Sequence, residues 1–281
     1  MNLFDNDRRE DQETIKKPEI DPNVLADGVY FRMPEAQYHA LHRLSASGIK
    51  NILVSIPTFW AKSWMNKDRK HNDDDTNAKI LGRAYHVAIF EPETLARRYV
   101  GKPNWDNFPG ILMTDTAVKA ELKAMGAPQT KTGELAIDRA HRLADLGCQK
   151  PIKSIIEDQF NQDLDDRTAI DHIYFDQIHR DIDRIAENPE IHDLVTGGAS
   201  EVTIRWTCPD TGIKMKARID KLKADKFVDL KSFANANGKP TKQCITDAIK
   251  YNRYYLSMRQ YQVAIGMIGQ LDLQIMDLIN S

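Results

Sequence analysis

The chain has 281 residues, a formal net charge of −2, and 41% hydrophobic and 28% charged residues. That composition supports a hydrophobic core of ordinary size and excludes a polybasic, tail-type nucleic-acid binder, although a local basic groove stays open to it. Cys148, Cys208 and Cys244 are too few and too scattered for a four-thiolate zinc or iron–sulfur site or a disulfide framework, and no apolar run is long enough for a membrane helix, so the expectation is a soluble protein of a reducing cytoplasm with no membrane partner.

Residues 1–24 are polar, mixed in charge and poor in large apolar groups, which predicts a disordered tail; residues 25–281 are expected to form one domain. Residues 28–34 suit a short edge strand and 34–39 a turn or short helix. Ser45 or Ser47 can N-cap a helix running to about Trp64, with Ile49, Ile52, Leu53 and Ile56 as its apolar stripe and Pro57 breaking or restarting it. Residues 66–77, with three consecutive aspartates, read as a solvated loop. Residues 79–91 predict a short helix stopped by Pro92. Gly82 and His86 share one face of it. A mid-helix glycine costs about 1 kcal/mol against alanine, so something should need its lack of a side chain, and close approach of another backbone is one candidate reason for Gly82.

Residues 100–115 look irregular. Residues 116–143 read as a helix, a Gly/Pro turn and a second helix, with Lys119 and Lys123 on the first. Another helix is predicted over 150–162. From 168 to 186 Ile170, Ile173, Tyr174, Ile178 and Ile182 recur at helical spacing, Asn188-Pro189 interrupts, and 191–195 gives one more turn. Residues 242–270 read as one or two helices bearing Tyr251, Tyr254, Tyr255 and Tyr261, and 271–279 as a final strand or short helix.

The stretch from 201 to 233 is the most informative. Val202, Ile204 and Trp206 alternate with polar residues, as do Ile213, Met215, Ala217 and Ile219, the period of half-buried strands. Cys208-Pro-Asp-Thr-Gly212 between them is turn chemistry. Asp220 closes the polar face of the second strand. In a third run Asp229 and Lys231 share a face while Val228 and Leu230 point the other way. An Asp-x-Lys pair alone is usually an exposed polar face. Joined to Asp220 and to a helix bearing His86, it offers carboxylates, an imidazole and a backbone carbonyl, a hard donor set suited to Mg²⁺ or Mn²⁺. A neighbouring ammonium can orient water and stabilise charge on a phosphoryl group, which together is equipment for phosphodiester hydrolysis. No Gly-rich phosphate loop accompanies it.

These residues, with Ser45-Ala-Ser-Gly-Ile-Lys50, Gly82-Arg-Ala-Tyr-His86, Glu201-Val-Thr-Ile-Arg-Trp206, Thr211-Gly-Ile-Lys-Met-Lys-Ala-Arg-Ile-Asp220 and Val228-Asp-Leu-Lys-Ser232, resemble the PD-(D/E)xK nuclease superfamily in its RecB-like branch. They are most similar to the nuclease domain of the exodeoxyribonuclease VIII (RecE) family and its phage relatives. The resemblance spans roughly residues 28–270. It implies an α/β (α+β) fold with a restriction-endonuclease-like core, a central mixed sheet flanked by helices, and 116–143 as a helical insertion. It further implies a metal-dependent exonuclease that digests linear double-stranded DNA from its ends, 5′ to 3′, in phage or prophage recombination. Such enzymes work beside a single-strand annealing protein and assemble as homo-oligomers.

In that family His86, Asp220, Asp229 and the Leu230 carbonyl would hold Mg²⁺ or Mn²⁺. Lys231, with Asp220 and Asp229, would be catalytic, and Glu201 would be a further site carboxylate. Arg218, Tyr254, Gln260 and Tyr261 would face DNA. The family's Tyr-x-x-Gln-x-x-x-Tyr helix is altered here: Ser257 stands at the Gln position and Gln260 follows three residues later. Residues 116–143 also resemble the SAP motif, a small DNA-binding helix–turn–helix, with Lys131 and Thr132 at the turn and Gly133 displaced. Lys119 and Lys123 are then expected to meet phosphates, the alternative being a hairpin that only packs. Two other functions fit the same scaffold: a DNA-binding protein without catalysis, or a nuclease for single-stranded or branched DNA.

Overall fold

The computed structural model describes residues 22–69, 76–233, 235 and 237–271. The expected tail up to residue 21, the aspartates at 73–75 and the apolar end beyond 271 lie outside the described residues. In chain order the elements are β1 (Gly28–Tyr30), α1 (Glu35–Ala40), α2 (Ala46–Val54), α3 (Ile56–Lys62), α4 (Asn77–Phe90), α5 (Leu95–Arg98), β2 (Tyr99–Gly101), α6 (Asp115–Ala124), α7 (Ala136–Asp145) and α8 (Lys153–Gln162). There follow β3 (Thr168–Ile170), α9 (His172–Glu187), α10 (Pro189–Val195), β4 (Ala199–Thr207), β5 (Lys214–Leu222), β6 (Phe227–Val228), α11 (Thr241–Tyr251) and α12 (Tyr254–Leu271). The fold is mixed α/β, a sheet of antiparallel strands flanked by helices, as in restriction-endonuclease-like proteins.

Local chemistry sets most boundaries. The Ser45 hydroxyl accepts from Gly48 N at 3.3 Å and starts α2. Ser55 ends α2 and caps α3, accepting from Thr58 N at 3.1 Å, so the predicted long helix breaks at Ser55 and Pro57 occupies the first turn of its successor, where a missing N–H does no harm. Asp171 caps α9 through Ile173 N at 3.1 Å. The helix therefore begins at His172, and the preceding residues 168–170 pair in parallel with 99–101 as β3 and β2. Neither strand was legible: three residues cannot display a period, and Ile170 falls in phase with the helical stripe that follows. The strand order of the larger sheet is β1-β4-β5-β6, with β1 antiparallel to β4 and β6 antiparallel to β5. Leu44 adds one parallel bridge to Met215. β6 is only two residues long, so Asp229, Leu230 and Lys231 follow it rather than lie within it.

The chain forms two compact units. One comprises the described parts of Met1–Arg69, Val202–Arg218 and Ile245–Ile275. Its interior holds several cations. Arg43 pairs with Asp27 at 2.7 Å and donates to Trp206 O at 3.2 Å, and the buried Lys216 ammonium donates to Tyr38 O and Leu41 O, each at 2.9 Å. Burial pushes Lys216 down to about 8, with Arg69 and Arg43 adding to the effect. The other unit comprises the described parts of Lys70–Glu201, Ile219–Cys244 and Met276–Ser281. It has two apolar clusters. In one, Ala84, Val87 and Ala88 of α4 meet Leu95, Tyr99, Ile170 and Ile178. In the other, Val118, Leu122, Ala140 and Leu143 of α6 and α7 close with Leu112 and Ile152. Arg139, buried between those helices, bonds Asp115 and Glu134, and Arg142 reaches Glu134 at 2.6 Å; the Arg142 guanidinium is the main reason Glu134 is held down to about 2.

Gly197 and Gly198 lead into β4, both with positive φ. A Cβ on Gly197 would meet nothing within 4 Å, whereas one on Gly198 would lie 2.4 Å from the Leu222 carbonyl oxygen. Gly197→Ala should therefore cost about 1 kcal/mol, the left-handed backbone alone, and Gly198→Ala roughly 3 kcal/mol or more, since backbone must also move. Urea unfolding of the two variants measures the gap, and equal losses would refute the tight approach of β4 to β5.

Candidate active site

α4 brings His86 to this site because its apolar face, Ala84, Val87 and Ala88, is buried in the first cluster of its unit. Gly82, on the same helix, does not admit another backbone as expected. A Cβ there would find only the Ser232 hydroxyl, at an ordinary 3.8 Å, so the position has room for alanine. Glu201 is contributed by the start of β4 and Asp220 by the end of β5. The His86 Nδ1 atom lies 3.8 Å from Glu201 Oε1 and 3.7 Å from Asp220 Oδ2, and one donor atom from each residue lies within 4.8 Å of the others. Among the described residues this is the group of three that closes on one point.

Asp220 Oδ2 accepts from Leu230 N at 2.8 Å, which ties the segment after β6 to the end of β5. The Lys231 ammonium lies 2.7 Å from Asp229 Oδ2 and 3.1 Å from Leu230 O. Asp229 and Lys231 thus stand side by side although the strand has ended. The Asp229 side chain is 3% exposed, so this ion pair is largely out of water on its acidic side. Of the expected ligands, the structure gathers His86 and Asp220 with Glu201, whereas the Asp229 carboxylate and the Leu230 carbonyl both take the lysine.

The electrostatics follow from crowding. Burial pushes the Asp220 carboxyl up to about 6, Asp229 pushes the same way, and His86 and Lys231 counter them. Burial alone would lower His86, but the carboxylates of Glu201 and Asp220 outweigh it and the imidazole is raised above its ordinary value. Glu201 also carries a φ of 55°, a left-handed backbone that a non-glycine residue adopts at a cost. Nothing in the sequence signalled that conformation.

The remaining expected residues sit apart in kind. In the unit that contains them, Arg218 is half-buried with its guanidinium 5.7 Å from the Tyr38 ring centroid, and Lys50 lies 5.2 Å over Tyr254. Gln260 and Tyr261 are buried, and the Gln260 amide donates to Lys216 O at 3.0 Å and Leu44 O at 3.4 Å. A side chain so placed joins backbone segments rather than offering itself to a duplex. Ser257, at the Gln position of the resembled motif, is buried as well. In the other unit Lys119 is 2.7 Å from Asp115 one turn earlier on α6, while Lys123 is exposed.

A family model described as a PDDEXK-like domain of unknown function (DUF3799) matches residues 45–271. The chain belongs to this PDDEXK-like family. A PDDEXK-like domain points to a nuclease-type hydrolase. No curated protein and no solved structure matches the chain. PDDEXK nucleases typically use divalent metal ions, and the donor set here fits one. Carboxylate oxygens and an imidazole nitrogen are the donors Mg²⁺ and Mn²⁺ take. Separations of 3.7 and 3.8 Å are too long for hydrogen bonds, yet they fall within the roughly 3 to 4.2 Å that separates donors around one ion with bonds of about 2.1 Å.

Calorimetric titration with Mn²⁺ distinguishes the clustered carboxylate from the lysine-paired one. Glu201→Gln and Asp220→Asn are expected to weaken Mn²⁺ binding at least tenfold, and Asp229→Asn to weaken it less. The reverse order for Glu201 and Asp229 would return the site to the ligand set expected from the sequence.

Proposed function

We propose that this PDDEXK-like protein is a metal-dependent DNA exonuclease that hydrolyses phosphodiester bonds of linear double-stranded DNA from its ends. The observation that carries the reading is the convergence of His86, Glu201 and Asp220 beside the Asp229–Lys231 pair. His86, Glu201 and Asp220 would hold Mg²⁺ or Mn²⁺, which when bound supplies Lewis-acid polarisation of the scissile phosphate. Lys231 would act next to it. Its ammonium, kept in place by Asp229 and the Leu230 carbonyl, can orient the attacking water and stabilise charge gathering on the phosphate oxygens. Asp220, fixed by Leu230 N, keeps the donor end of β5 in register with that ammonium. Polarity from 5′ to 3′, a role in phage or prophage recombination, a single-strand annealing partner, a homo-oligomer and a cytoplasmic setting come with the resemblance and complete the proposal. Among the described residues no helix is long and apolar enough to cross a membrane.

With Mg²⁺, linear duplex DNA should be degraded, closed circular DNA spared, and EDTA should stop the reaction. Lys231→Ala and Asp220→Asn should each lower the rate by about a hundredfold or more. Release of label from the 5′ end before the 3′ end checks the polarity. Digestion that survives both substitutions would overturn the site, and metal-independent DNA binding without digestion would favour a binding protein on the same scaffold.

A further inference from the structure

Behind the three donors lies a second, connected set of contacts. The Ser200 hydroxyl donates to the Phe90 carbonyl at 3.3 Å and accepts from the Lys221 ammonium at 3.0 Å. Each member adjoins one of the donors. Ser200 precedes Glu201, Lys221 follows Asp220, and Phe90 lies one turn after His86 on α4, where its ring meets the imidazole edge-on at a centroid separation of 5.8 Å. The Lys221 ammonium also stands 5.9 Å over the Phe90 ring, and the residue is only 6% exposed. One hydroxyl thus fastens the start of β4 to the end of the helix that carries His86, and one ammonium fastens the end of β5 to the same hydroxyl.

Two facts make more of this than packing. Alternation along β5 sends Asp220 and Lys221 to opposite faces, so Lys221 grips from the side away from the donors without competing for the ion. Glu201 holds a left-handed backbone, a conformation that persists only where its surroundings over-determine it. The Ser200 anchor is a restraint on the residue directly before it. Gly198, three residues before Glu201, lies tight against the Leu222 carbonyl in the same stretch.

We propose that Lys221, Ser200 and the Phe90 carbonyl form a positioning clamp that sets the spacing of His86, Glu201 and Asp220 and so tunes how tightly the site holds its ion. This rests on reading those three residues as the ligands. None of the clamp residues touches the reacting atoms; they act through the residues beside them. Groups that orient metal ligands typically change metal affinity 10- to 100-fold when removed.

The test is Mn²⁺ titration of the full chain by calorimetry, with circular dichroism at the same temperature to show that each variant is folded. Ser200→Ala and Lys221→Gln are each expected to weaken Mn²⁺ binding about tenfold or more. The double variant should be little worse than either, because both cut one connected path. Ser200→Thr, which keeps the hydroxyl, should bind within about threefold of wild type. Gly197→Ala, with a stability loss but no contact to the clamp, should bind Mn²⁺ as wild type does, which separates positioning from destabilisation. Wild type that binds Mn²⁺ while Ser200→Ala and Lys221→Gln bind it equally well would overturn the clamp and leave the ligand reading standing. Wild type that binds no Mn²⁺ would overturn the ligand reading and the clamp with it. Should Ser200→Ala fail to fold, Lys221→Gln and Ser200→Thr decide the matter by the same comparison.

Discussion

Two carboxyl groups and an imidazole held together away from water are an unstable company unless positive charge joins them. Asp220 is the most buried of the three, and its carboxyl is pushed up to about 6 by that burial. His86 is pushed up by its acidic neighbours. Each shift measures the same frustration: negative charge gathered where solvent cannot screen it. A divalent cation resolves that conflict more completely than an imidazolium can, which is why a cluster of this kind is a candidate metal centre and a poor structural ion pair. Lys231 supplies part of the compensation from the side, but it lies against Asp229, and that division gives the site a carboxylate–imidazole end and a lysine end.

The fold meets the demand with few parts. α4 is anchored by its apolar face, so His86 is delivered by hydrophobic packing and not by polar contacts of its own. β4 and β5 deliver the carboxylates at the open end of a hairpin, Glu201 near the start of one strand and Asp220 near the end of the other, and Leu230 N binds the segment after β6 to Asp220. The irregular points cluster here too. Gly198 approaches the Leu222 carbonyl more closely than any side chain would allow, and Glu201 adopts a left-handed backbone two residues after the strand begins. Such local costs persist where the surrounding structure enforces them, and functional sites are where they recur.

The elements expected to grip DNA are less plainly specialised. In the α6–α7 hairpin Arg139, Arg142 and Lys119 are engaged by Asp115 and Glu134, carboxylates of the same segment, so its positive charge is largely matched internally. That is what a packed hairpin needs, and it leaves Lys123 as the exposed lysine of α6. Likewise Gln260 is spent on two backbone carbonyls, and with Tyr261 it belongs to the interior of its unit. The shift from Gln to Ser at 257 is thus a change at a buried position, not the loss of an exposed contact.

The sequence by itself determined the β-hairpin with its Cys208–Gly212 turn, the helical segments, the pairing of Asp229 with Lys231, and the kinship that makes the chain PDDEXK-like. The hairpin and the helices follow from alternation, turn chemistry and apolar spacing, all of which are local, while the kinship rests on the resemblance of whole motifs. Some caps were local too: Ser45 was legible, and the helix breaks at Ser55, two residues before the Pro57 expected to break or restart it. The strands at 99–101 and 168–170 were hidden because they are too short to show a period and exist only through pairing with each other. Which carboxylate joins His86 and Asp220 was decided by tertiary structure alone. The family resemblance implies Asp229 as a ligand and Glu201 only as a further site carboxylate, whereas in the structure Glu201 is the one that reaches His86 and Asp220. A left-handed turn of backbone at Glu201 and the contacts around Ser200 bring that carboxylate in, and neither leaves a mark in the order of the residues, since each depends on surfaces that meet only when the chain is folded.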